Sequence, residues 1–107
     1  MSEDPLLKLD LSPVNALRII REVAEDSARV VFLSHARKQM RQRKITPTQV
    51  LECLKRGAII EGPARDIKGN WRCTLNWRHA GDEVSVVVAI KHDHNMRRKL
   101  LVITAFS

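Results

Sequence analysis

The spacing of apolar side chains changes period midway along this chain. Leu6, Leu7, Leu9 and Leu11 end a loose leader, residues 1–11, with no regular pattern. Ser12-Pro13 is a helix-start signal, a capping hydroxyl followed by proline in the first turn. Val14, Leu17, Ile20 and Ala24 then recur at helical spacing, which predicts a helix over residues 12–26. The short β-branched run Val30-Val31-Phe32-Leu33 predicts a brief strand. Ser34 reads as the cap of a second helix, which seats Ala36 and Met40 inward and ends near Arg43-Lys44. Thr46-Pro47-Thr48-Gln49 is a capping box, opening a third helix with Val50, Leu51, Cys53 and Leu54 on its inner side. Gly57 is the expected left-handed stop of that helix.

Beyond Gly57 the period drops to two. Ala58 to Glu61 predicts a strand closed by Gly62-Pro63, and Arg65 to Asn70 a turn-rich segment. Trp71, Cys73, Leu75 and Trp77 alternate with Arg72, Thr74, Asn76 and Arg78, the pattern of a half-buried strand whose tryptophans face the core. Gly81-Asp82 marks a hairpin. Val84 to Ile90 is apolar on both faces, as in a central strand. Lys91 to Lys99 reads as a basic loop, and Leu100 to Phe106 as the last strand. Helices first and a meander afterwards predict an α+β fold, with the N-terminal helices on one face of a four- to five-stranded antiparallel sheet. At 107 residues the expectation is one domain, residues 1–107, with its core over 30–107.

Charge sharpens this picture. The net charge of +7 is unevenly spread. Residues 1–26 hold six acids against three bases (−3), leaving sixteen bases against six acids (+10) for the rest. A body this basic attracts polyanions, nucleic acid foremost. No apolar run approaches the roughly 18 residues a membrane helix needs, and no secretory signal pattern opens the chain, so the expected location is the cytoplasm, away from membranes. Cys53 and Cys73 lack metal or redox spacing and read as buried, reduced thiols.

The stretch Ser34 to Ile45 carries the candidate chemistry. It holds Arg37, Lys38, Arg41, Arg43 and Lys44, and no acid lies between Ser27 and Leu51. His35 falls at the expected first helical position, where free N–H groups favour an anion. His35, Gln39 and Arg43 share a stripe at four-residue spacing, suited to a phosphate. Arg72, Thr74, Asn76 and Arg78 form a second polar face able to track a phosphate backbone, and Arg97 and Arg98 a basic tip. His79, beside the hairpin turn, reads as an exposed loop histidine. The run His92-Asp93-His94-Asn95 offers two histidines for a metal, but nothing nearby completes a ligand set, so neither metal nor cofactor is expected.

The run His35, Ala36, Met40, Arg43, Ile45 (H-A-x-x-x-M-x-x-R-x-I) resembles the motif of a small bacterial family, the domain-of-unknown-function family numbered 4258. A Gly-terminated second helix, a W-R strand at Trp71-Arg72, a valine-rich strand and the closing Leu101 to Phe106 follow in the same order, over about residues 30–107. The chain differs at Gln39, where the family often has arginine, and at Lys44, where it often has glycine. The family looks related to RelE-like toxins and to the wider barnase/EndoU/RelE (BECR) ribonuclease group. That resemblance implies a RelE-like core and an endoribonuclease restrained by a cognate antitoxin, acting on RNA such as ribosome-bound mRNA.

Metal-free RNA cleavage uses the substrate's own 2′-hydroxyl. The protein must take that proton, neutralise the phosphorane and protonate the leaving 5′-oxygen. Histidine titrates in the useful range, and arginine donates two parallel bonds to phosphate. On that logic His35 is the base and Arg43 and Arg72 are the clamp, with Lys91 or Thr104 at the leaving oxygen. Arg37, Lys38, Gln39, Arg41, Arg43, Arg72, Asn76, Arg78, Arg97 and Arg98 are the expected RNA contacts. Two other readings use the same surface: a non-catalytic RNA-binding or ribosome-associated module, and a domain that binds an acidic protein partner.

Overall fold

The computed structural model describes residues 11–92, 95 and 97–107. The leader up to Asp10, and Asp93, His94 and Met96 of the basic loop, lie outside the described residues.

Helix α1 (Pro13–Ala24) opens as its sequence dictates, with the Ser12 hydroxyl accepting the Asn15 N–H at 3.1 Å. It buries Ala16, Ile19, Ile20, Val23 and Ala24. It stops two residues short of the expected Asp26, whose carboxylate instead accepts the Ala28 N–H and caps a 3-10 turn, Ser27–Arg29. Strand β1 (Val30–Phe32) follows, then helix α2 (Ser34–Arg43). The expected serine cap is not formed. Leu33 donates its N–H to the Val102 carbonyl at 3.1 Å, which holds residue 33 extended and makes it the cap, without a side-chain bond. Ser34 therefore takes the first helical position and His35 the second.

At its other end α2 stops on Lys44, which adopts the left-handed conformation (φ 57°, ψ 40°). Helix α3 (Pro47–Arg56) closes both halves of the capping box. Thr46 Oγ1 accepts the Gln49 N–H at 3.1 Å, and Gln49 Oε1 accepts the Thr46 N–H at 2.8 Å. Gly57 is not left-handed as expected; its φ is −74° and its ψ 174°. Glycine is needed there for space, since a Cβ would lie 2.6 Å from the Cys53 carbonyl oxygen and 2.7 Å from that of Asn76.

Strands β2 (Ala58–Arg65), β3 (Trp71–His79), β4 (Asp82–His92) and β5 (Arg98–Phe106) complete a five-stranded sheet of order β1-β5-β4-β3-β2. The sheet is mixed, not wholly antiparallel: β1 runs parallel to β5, with Val30 beside Leu100 and Phe32 beside Val102. Hairpin-length connections force antiparallel pairing between neighbours. The three-residue β1 has no hairpin, and its partner is the last strand of the chain. β2 also runs past its expected end at Glu61, crossing Gly62-Pro63 through two register shifts. The β3–β4 hairpin turns on Ala80 and Gly81, both at positive φ (52° and 86°), as a two-residue primed turn requires. The basic loop is shorter than expected because Lys91, His92, Arg98 and Lys99 are strand residues.

Register decides the two faces of the sheet. Trp71, Cys73 and Leu75 stand in rows with Ile90, Val88 and Val86, and those with Leu100, Val102 and Ala105. A bulge at Ile103, between the pairs Val87↔Thr104 and Val88↔Val102, keeps Ala105 on this side. These residues form one core with Ile20 and Val23 of α1, Ala36 and Met40 of α2, and Val50, Cys53 and Leu54 of α3. The helices thus share one layer. Cys53 and Cys73 are free thiols inside it, and burial pushes each pKa up to about 12. No described helix is long and apolar enough to cross a membrane.

Candidate nucleic-acid interface

Ala36 is fully buried and Met40 is 5% exposed, so they fix which way α2 is turned. The rest of the helix must then face outward. Arg37, Lys38, Arg41, Arg43 and Lys44 are all exposed. Among the described residues none of these five meets a carboxylate. Two are oriented by neutral partners. Arg37 Nε donates to the Phe32 carbonyl at 3.2 Å, and Arg43 Nε donates to Gln39 Oε1 at 3.3 Å. The predicted stripe is therefore joined between residues 39 and 43. His35 is exposed on the first turn, and among the described residues its side chain makes no hydrogen bond.

The second predicted surface is built differently. Arg72, Thr74, Asn76 and Arg78 project from the sheet face away from the helices, but their charges face acids. Arg72 lies 3.8 Å from Asp66, and Arg78 3.3 Å from Glu83. The Asn76 amide donates to Glu83 and to Ser85, each at 2.9 Å. The Asp66 carboxylate also accepts the Lys68 and Asn70 N–H groups, which holds the β2–β3 turn in shape. The two arginines of β3 are thus matched by acids rather than left as free cations.

By register, Thr104 stands in one row with Val87 and Thr74, and Lys91 faces Lys99, on the same outer face as Arg72. The five residues assigned chemical roles thus divide: His35 and Arg43 ride on the helix layer, while Arg72, Lys91 and Thr104 project from the other side of the sheet. Arg97 is exposed beside the β4–β5 turn, and Arg98 is half-buried opposite His92, its carbonyl accepting Arg29 Nε at 2.9 Å. His79 is not in a loop. It ends β3, exposed, with its ring stacked on Trp77 at 5.1 Å between centroids.

Two concavities had no clear signal in the sequence. One, of about 710 Å³, lies where β2 bulges past Gly62, between Glu61, Ala64, Ile67, Arg72 and Thr74. The other, of about 350 Å³, opens beside α2 between Phe32, Arg37, Met40, Arg41, Ile45 and Pro47. The only hint of the second was an aromatic residue just before the cationic helix and Ile45-x-Pro47 just after it. Among the described residues no three His, Cys, Asp or Glu side chains are grouped to hold a metal.

Compared with known families, the chain matches a family model described as a domain of unknown function (DUF4258), over residues 32–107. No curated protein and no solved structure gives a match.

Proposed function

This chain belongs to the DUF4258 family, and on that footing we propose that it binds RNA through the outer surface of α2. One observation carries the reading: five exposed cations within about two turns of α2 and its Lys44 cap, with no carboxylate partner among the described residues. Unpaired cations bind phosphate by releasing condensed counterions, whereas Arg72 and Arg78 must first give up Asp66 and Glu83. RNA is the polyanion implied by the resemblance to ribonuclease toxins. Binding to a single strand should weaken with salt, the logarithmic slope falling by about 0.7 for each phosphate contact removed. Lys38→Ala with Arg43→Ala should flatten that slope, and Arg72→Ala should leave it nearly unchanged. An equal loss from Arg72→Ala would move the interface to the sheet.

A second reading, the metal-independent endoribonuclease, is favoured by His35. Its imidazole is solvent-exposed, free of hydrogen bonds to described residues, and mounted on the same helix as the cations. There it would take the 2′-hydroxyl proton as the 2′-oxygen attacks phosphorus, with Arg43 of the same stripe on the phosphate. The departing 5′-oxygen would take its proton from water, since Lys91 and Thr104 lie across the sheet. A cognate antitoxin would then cover α2 with acidic side chains. Expression of the wild type should arrest growth, and His35→Ala should relieve the arrest while RNA affinity persists. Full arrest by the His35→Ala variant would leave binding without this cleavage step.

A further inference from the structure

The 350 Å³ groove beside α2 is apolar below and cationic above. Met40 and Ile45 are 5% and 6% exposed and form its floor, with the half-buried ring of Phe32 and the ring of Pro47 along its sides. Arg37 and Arg41 stand at its rim, both exposed. The Arg37 guanidinium is not loose. Its Nε is fixed on the Phe32 carbonyl at 3.2 Å, which leaves its two outer nitrogens for a ligand. No acid is present in the sequence from Ser27 to Leu51, which includes every lining residue.

A phosphate alone needs the rim but not the floor. An apolar ligand alone needs the floor but gains nothing from two guanidinium groups. The combination suits a flat, weakly polar ring carried on an anionic chain. We propose that this groove receives one unstacked nucleobase of a single RNA strand, with the adjoining phosphates on Arg37 and Arg41. The proposal rests on the reading of α2 as an RNA-binding surface and adds what that surface selects. Bases stack on aromatic rings and guanidinium planes, and a base held in a duplex presents neither face. At about 350 Å³ the groove lies at the small end of ligand sites, roughly 300–1,000 Å³, and has room for a planar base. The protein is therefore selective for single strands, with little sequence preference.

The test varies the nucleic acid first and the protein second. Anisotropy titrations compare a short single-stranded oligoribonucleotide, the same strand with its bases removed, and the corresponding duplex. Loss of the bases should weaken binding about tenfold, the value of one stacked base, with the salt slope unchanged. The duplex should bind about as weakly as the base-free strand. Phe32→Leu keeps apolar volume but removes the flat ring; it should lower affinity for the intact strand and leave the base-free strand unaffected. Equal binding of intact and base-free strands would overturn the base slot while leaving α2 an RNA surface. Failure of every strand to bind at low salt would overturn both.

Discussion

Replacing Gly57 with alanine separates two reasons for a glycine at a helix end. Were Gly57 left-handed, alanine would be strained by its φ. Its φ is −74°, where alanine is at ease. Judged by backbone alone, Gly57→Ala should stabilise the fold by about 0.4–1 kcal/mol, because alanine has less freedom to lose from the unfolded chain. Packing reverses the sign. The new methyl would lie 2.6 Å from the Cys53 carbonyl oxygen and 2.7 Å from that of Asn76, and both obstacles are backbone. The Cys53 carbonyl also accepts the Gly57 N–H at 2.8 Å, so moving it stretches that bond. Overpacking costs about 1–3 kcal/mol, and a weakened backbone bond about 1 kcal/mol more. Set against the entropic gain, the net loss is about 1–4 kcal/mol, a fall in Tm on the order of 5–15 °C for a domain this size. Thermal denaturation followed by circular dichroism reads it directly. Gly69→Ala is the control: φ is +82° there with nothing within 4 Å, so only conformational strain applies, about 1 kcal/mol. A Tm for Gly57→Ala at or above wild type would refute the close approach of the α3 terminus to β3.

Lys44→Gly relieves a left-handed lysine at φ 57° and should raise Tm by a few degrees, since that conformation costs a non-glycine residue about 1 kcal/mol. The same variant loses a cation from α2 and should flatten the salt slope of RNA binding. Leu54→Ala removes a fully buried side chain at the centre of the core and should cost about 2–5 kcal/mol in urea denaturation. Cys53 and Cys73 remain protonated in the fold up to about pH 12, whereas in the unfolded chain they ionise near 9. Proton binding is then greater in the native state, so stability should fall as pH rises from about 9 to about 12. A Cys53→Ala, Cys73→Ala double variant should lose that dependence. In the native protein both thiols should resist alkylation at pH 8, becoming reactive only in denaturant.

The element order, the two proline-led helix starts and the inward tryptophans were legible in the sequence, because each depends on neighbours within a few residues; the hairpin was legible too, but its turn falls on Ala80-Gly81, one residue before the expected Gly81-Asp82. The cationic helix was legible for the same reason: Ala36 and Met40 at four-residue spacing fix its inner side. What tertiary structure alone decided depends on partners far along the chain. Leu33 displaced Ser34 as a cap because Val102, some seventy residues away, accepts its N–H. β1 lies parallel in an otherwise antiparallel sheet because the last strand returns beside it. Gly57 is a glycine because of Asn76. Arg72 and Arg37 are each one guanidinium in the sequence; the fold sets one against Asp66 and hooks the other to the Phe32 carbonyl at the mouth of a groove. Periodicity reports which side of an element meets the core. Whether a charge on the other side stays available depends on what the fold brings up to it.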